Sequence, residues 1–539
     1  SGGGDCLDQV VRLSFRSDGQ CPSTASGEIG SKIGNRFGIE HSRNNGHPTG
    51  LHPDTGLPEP KPQAVKRLRE RSGAVTDGAI SRVGQRLAYR CCQVVVSRGG
   101  VMVEYWGSET RKAIDNFPVS GEQVPAAVIR WLGRIKSAAA TANAALGVLD
   151  GEVARRVSAA ADEIGAGLHA DQFPIDVFQT GSGTSTNMNV NEVIAHLAGT
   201  DIHPNDHVNL GQSSNDVFPT AVHLAALEMA TTRLIPALHS LRDALASKST
   251  EFADVTKAGR THLMDAVPIT LGQEFGAFAQ QMSLGVDRVT GSLPRLAAVP
   301  LGGTAVGNGL NTHPDFARRV RELLAARTGI EIVEPMDRFE AQASRDALVE
   351  FSGVLKVIAV SLTKIANDVA LLASGPRAGL GEISLPELQK GSSIMPGKVN
   401  PVLAEVVLQV AAQVIGNDTA ITIGGMQGNF QLNVRVPLIA RNLLESMHIL
   451  STAMNVFAER CVAGIGANTD RLTWLADNTL ASATALNPII GYDVAGEIVR
   501  RAESDKISLR DAARDIGLDD ELIEKALNAR QIARGNQPE

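Results

Sequence analysis

Eleven residues, Gly391-Ser392-Ser393-Ile394-Met395-Pro396-Gly397-Lys398-Val399-Asn400-Pro401, gather more reactive groups on less regular backbone than any other stretch of the chain. Gly391, Pro396 and Gly397 interrupt helix and strand alike, because glycine is permissive, proline fixes its own φ, and the residue before proline is pushed out of the helical region. Asn400 and Pro401 read as the N-cap and first position of a helix. Lys398 and Asn400 are therefore expected at a helix N-terminus, an end that attracts anions. A nucleotide-phosphate loop is excluded: five residues rather than four separate Gly391 from Gly397, and Val399 stands where a hydroxyl would hold magnesium. The bland alternative, a surface connection between helices, sits poorly with tandem serines beside a cation.

Four other stretches carry polar groups that could do chemistry. In Thr180-Gly181-Ser182-Gly183-Thr184, which leads on to Asn189, small residues let the backbone approach a ligand, and Ser182 and Thr184 can donate to a carboxylate. No third glycine follows, so this is not a dinucleotide fingerprint. Ser213, Ser214 and Asn215 offer hydroxyls and an amide. His203-Pro204-Asn205-Asp206 reads as a turn. His262, after Thr261 in Gly259–Ala266, would ordinarily be a hydrogen-bonded core histidine.

Long helices must position these clusters. Leu224, Leu227, Leu234, Leu238, Leu241 and Leu245 fall on three- and four-residue steps, with Thr231 in the one remaining place. Leu348, Phe351, Leu355, Ile358, Leu362, Ile365, Val369 and Leu372 repeat the pattern for more than three heptads. Both read as packing seams of a bundle, expected to form between subunits. The Gly302-Gly303 to Gly309-Leu310 loop is read as structural, with Thr304 and Asn308 near the site.

At 539 residues the chain suits two or three domains. Its net charge of −7 offers no footprint for nucleic acid or an anionic membrane. Lys356 and Lys364 interrupt the longest apolar run, so no stretch is expected to reach membrane-spanning length and the chain is expected to be soluble. Aromatics are only 4%, which favours helices over sheets. Cys6, Cys21, Cys91 and Cys92 precede the body and leave Cys461 alone in it, so neither a disulfide framework nor an iron–sulfur cluster is available there. Residues 1–100 read as an unstructured leader, with His41, His47 and His52 lacking ligand spacing.

The string from Gly391 to Pro401 resembles the signature of the fumarase/aspartase superfamily. Gly397, where aspartases usually carry Ala, makes it most similar to class II fumarase. The resemblance runs from about Trp106 to about Leu527 and includes Trp106-Gly107, Asn116-Phe117-Pro118, the clusters above and Leu486 to Tyr492. Glu109, Thr186 and Asn308 depart from the usual residues.

This resemblance implies a mainly α, three-domain fold: after the leader 1–100, an N-terminal lyase domain 101–212, a central long-helix bundle 213–468 and a small C-terminal helical domain 469–539. It implies a homotetramer with a helical core shared by four chains and active sites shared between three subunits. The implied reaction is reversible hydration of fumarate to L-malate, a step of the tricarboxylic acid cycle, with no cofactor and no metal. Ser392 would take the C3 proton of malate, with loop amides and Lys398 stabilising its alkoxide. His262 would serve the hydroxyl and Glu405 would orient its imidazole. Ser182, Gly183, Thr184, Ser213, Ser214, Asn215, Thr261, Ser393, Lys398, Val399 and Asn400 would hold the carboxylates. His203, Pro204, Asn205 and Asp206 would form a second dicarboxylate site. A cytoplasmic location is expected, or a mitochondrial one if the leader is a transit peptide. Aspartate ammonia-lyase is the alternative within the superfamily, and His207 leans that way. A non-catalytic structural protein of this fold should lack a base, acid or cation, and none is missing.

Overall fold

The computed structural model describes residues 94–97 and 100–535. The expectations for the leader up to residue 93, its histidines and its four cysteines lie outside the described residues, whereas strand at 94–97 and from 100 onward corrects the unstructured reading of the leader's last residues. An antiparallel ribbon, β1 (Val94–Ser97) and β2 (Gly100–Val103), precedes a largely helical chain. The first layer holds α1 (Ser108–Asn116), α2 (Ala126–Ala145), α3 (Gly151–Ala166) and α4 (Thr184–Ala198). Next come α5 (Ser214–Met229) and α6 (Ile235–Glu251), joined by a π turn, Ala230–Leu234, into one rod. A hairpin of β3 (Thr256–Thr261) and β4 (Met264–Thr270) follows. Beyond it lie α7 (Leu271–Ala297), α8 (Phe316–Thr328), α9 (Arg338–Ala343), α10 (Asp346–Leu372), α11 (Val402–Met426) and α12 (Val436–Arg460). Short helices from Thr469–Asn478 to Ala529–Arg534 complete it.

Local chemistry sets where the rods begin. Ser213 caps α5 and Asp216 bonds back to the Ser213 amide, and Thr270 with Gln273 does the same for α7. At 1.5 Å per residue the α5–α6 rod is roughly 55 Å long. α7 lies antiparallel beside it, fastened at one end by Ser249 Oγ donating to Gly272 O and at the other by His223 against Leu296 O.

Both leucine seams are buried, but within the chain rather than between subunits: all eight apolar positions of α10 are at most 4% exposed. Thr231 is exposed, contrary to its assigned place. The π turn adds a residue to the helical repeat there, and Ala230 takes the buried position instead. What stays outside is a second apolar flank, with Val357, Val360 and Leu371 on α10 and Val406, Ile415, Ile423 and Met426 on α11.

The expectation about apolar runs needs correction as well. α11 is long and apolar enough to cross a bilayer by length and composition. In the fold it packs against α10 and α12 and buries Asp418, which accepts from Ser352 Oγ and Lys356 Nζ. A separate small core gathers Leu486, Ile498, Ala512, Ala513 and Ile523, all fully buried. This terminal part rests on the hairpin and the start of α7 through Thr479 Oγ1 to Ala266 O and Gln273 Nε2 to Ala533 O.

Candidate active site

At the start of α5 two of the polar clusters meet. Gly183 precedes α4 with φ +77°, and a Cβ there would lie 2.3 Å from the Phe218 ring, so glycine alone fits. Ser182 and Thr184 are thereby folded together, their hydroxyl oxygens 2.8 Å apart, and Thr184 Oγ1 lies 2.7 Å from Ser214 Oγ. Asn215 donates its side-chain amide to Ala305 O at 3.0 Å. Behind this row sits Asp216, which the sequence reading did not single out although its capping box was legible. It accepts from the Ser213 amide at 2.9 Å and from the Gly302 and Thr304 amides at 3.0 Å each. Burial pushes its carboxyl up to about 6, against the pull of those amides. The Gly302–Leu310 loop is thus structural as read: Thr304 is buried behind the row, and Asn308 accepts from the Leu310 amide.

In the His203–Asp206 turn, His203 Nδ1 accepts from the Asp206 amide at 3.1 Å and the His203 amide donates to His207 Nδ1 at 2.9 Å. His203, Asn205 and Asp206 are exposed.

The remaining parts lie around the hairpin and the start of α11. His262 and Leu263 are the two turn residues between β3 and β4, with φ of 56° and 62°, a hairpin the sequence reading missed. His262 is exposed at its tip rather than buried in a core. Buried charge anchors the hairpin: Lys257 Nζ lies 2.7 Å from Glu274 and 3.1 Å from Glu382, and Arg260 donates to Glu382 at 2.7 Å. Glu382 leads through Ile383–Ser384, paired with Gly466–Ala467, towards the serine loop. There Ser392 Oγ accepts from the amides of Ile394 at 3.2 Å and Met395 at 3.0 Å.

Asn400 is not the helix cap. α11 begins at Val402 with Pro401 in the cap position, and Asn400 instead closes the loop, Nδ2 donating to Gly391 O at 2.7 Å. The proline therefore stands one residue before the first helical position. Ser393, Lys398, Val399 and Glu405 are exposed, as is Thr261. Among the described residues the side chains of His262, Lys398 and Glu405 have neither a hydrogen bond nor an ion pair.

The structure does not bring these two groups of residues together. Gly272 and Leu296 mark the hairpin end and the α5 end of α7, roughly 35 Å apart along its axis, and Ser214 lies further on by more than two turns beyond His223. α11 and α12 span the same distance. α12 starts beside the first cluster, where the Val436 amide donates to Gly181 O, and ends near Ile465, whose carbonyl accepts from Lys248 Nζ close to the hairpin. The hydroxyl row therefore sits at one end of the bundle, and Ser392, Lys398, Glu405 and His262 sit at the other. Among the described residues no group of three or more His, Cys, Asp or Glu could hold a metal ion. Cys461 is buried, which pushes its thiol up to about 12.

The chain with these long antiparallel helices, polar clusters split between their ends, falls in a lyase family. The family model described as Lyase matches residues 100–416, and the one described as fumarase C C-terminus matches residues 483–534. The fumarate hydratase class II of Corynebacterium glutamicum is 53% identical over 431 residues, covering 79% of this chain and 91% of that protein. That of Mycobacterium tuberculosis is 55% identical over 417 residues, covering 77% and 88%. The crystal structure of class II fumarase from Schistosoma mansoni superposes with a TM-score of 0.80 at 35% identity, covering 83% of this chain and all of that one. The chain belongs to the class II fumarate hydratase family.

Proposed function

We propose that this chain hydrates fumarate reversibly to L-malate by acid/base chemistry without a metal, in active sites assembled from several copies in a homotetramer. Membership of the family supports the reaction. One observation carries the mechanism: two backbone amides converge on Ser392 Oγ. Oriented N–H dipoles favour a developing negative charge on that oxygen, and a serine is far too weak an acid to serve as a base without such help.

In the dehydration direction Ser392, as alkoxide, takes the C3 proton of malate, and the electron pair delocalises into the adjacent carboxylate. His262 then gives a proton to the departing C2 hydroxyl, which leaves as water. Lys398 and Asn400 stabilise the charge on the carboxylate, and the Ser182, Thr184, Ser214 and Asn215 groups hold the substrate. Glu405 orients and stabilises the imidazolium of His262.

Sharing between copies is supported by the split of the parts and by the exposed apolar flank of α10 and α11, which a second helical layer would bury. The test is fumarate absorbance during incubation with malate. Wild type should be active with and without chelator, whereas Ser392→Ala and His262→Asn should lose nearly all activity. Strong chelator inhibition refutes the metal-free mechanism, and full activity in Ser392→Ala refutes the assigned base.

A further inference from the structure

Lys136 lies on the inward face of α2, among Trp131, Leu132, Ile135, Ala138 and Ala139, and is wholly buried. An ammonium in such a place is costly unless it is well partnered. Its Nζ donates to Asn209 Oδ1 at 3.2 Å and to Gln212 Oε1 at 3.3 Å. Neither partner is a passive acceptor. Asn209 Oδ1 also accepts from Asn187 Nδ2 at 3.2 Å, and Asn187 stands one turn into α4 from Thr184. Asn209 Nδ2 donates to Gln212 O at 3.2 Å, and Gln212 Nε2 donates to Val208 O at 3.0 Å. Gln212 immediately precedes Ser213. The ammonium therefore ties α2 to the segment that presents Ser213, Ser214 and Asn215, and Asn209 passes that tie on to the helix that presents Thr184 through Asn187.

The charges around it fit that role. Burial holds Lys136 down to about 7, and Asp216, the buried carboxyl behind the hydroxyl row, partly restores it.

We propose that Lys136 is a positioning residue for the dicarboxylate, setting the gap between the Thr184 turn and the Ser213–Asn215 turn through Asn209 and Gln212. The proposal rests on reading those turns as the substrate-carboxylate pocket.

It is tested on the full chain with Lys136→Met, which keeps the side-chain length without charge or donor. Asn187→Ala cuts the link from Asn209 to α4 and so reads that end of the network directly, and Lys136→Gln takes the place of Lys136→Met should the latter fail to fold. Steady-state kinetics with fumarate give KM and kcat, and succinate is the inert binding probe. Both variants should raise KM and weaken succinate binding by about tenfold or more, with kcat within about threefold of wild type. Lowered thermal stability with KM and succinate affinity unchanged overturns the proposal, because packing alone then explains the lysine. Ser214→Ala separates the two levels of inference. Weakened succinate binding in Ser214→Ala with none in the other two variants overturns the role of Lys136 alone. Unchanged binding in all three overturns the pocket as well.

Discussion

Mixing two inactive variants distinguishes a shared site from a self-contained one. Thr184→Ala combined with Ser214→Ala removes hydroxyls at the starts of α4 and α5, and Ser392→Ala removes the oxygen in the loop that leads into α11. These positions lie at opposite ends of helices such as α11, Val402–Met426, roughly 37 Å long. That is far beyond the reach of a four-carbon diacid, so one chain cannot furnish both to one site. In a randomly reassembled equal mixture, about half of each kind of end is intact. If each site draws its two ends independently from different copies, about a quarter of the sites regain both. The assay is fumarate absorbance per milligram of protein, after co-expression with two affinity tags and selection for species carrying both. Recovery near that fraction of wild type is expected. Activity no greater than the sum of the two parents refutes the split site.

The structure supports three more predictions. Burial and the field of Arg345 hold the His223 ring down to about 4, against an ordinary value of 6.5, so between those values the unfolded chain binds the extra proton. Stability should therefore fall as pH drops from 6.5 to 4, by up to about 3 kcal/mol from this residue, and denaturant melts of His223→Gln should show a shallower acid-side loss. Gly183→Ala should destabilise the fold by about 2 kcal/mol or more, through positive φ and collision with Phe218, and should also raise KM; a variant with wild-type melting temperature and KM contradicts the tight turn. Glu382→Gln leaves Lys257 and Arg260 short of their shared buried counter-charge. A loss of about 3 kcal/mol is expected in urea unfolding, along with reduced kcat as the His262 hairpin shifts.

The long helices were legible because residues such as Leu348 to Leu372 keep one heptad phase, and burial follows that phase directly. Thr231 was misplaced because a π turn changes the repeat without a signature in side-chain type. The hairpin escaped notice for a related reason. Thr256–Thr261 and Met264–Thr270 do not alternate cleanly between apolar and polar residues, and His262 and Leu263 are not turn-forming types. Chemical type singled out the serine loop, and the hydroxyl row needed the family resemblance as well, whereas Lys136 and Glu382 act through burial, which a one-dimensional pattern does not display. The scatter of the site along the chain was visible in its numbering. Its division between the two ends of a rod required the direction of each helix.

The tip of the β3–β4 hairpin sets the molecule's two demands against each other. Two-residue turns of this geometry are ordinarily made from asparagine and glycine, and each ordinary L-residue held in left-handed backbone costs on the order of 1 kcal/mol. A designer seeking heat resistance alone would rebuild His262 and Leu263 first and would lose the imidazole in doing so. Leu263→Gly relaxes one of the two and spares the ring, so the turn can be made hardier without touching the imidazole proposed above as the proton donor.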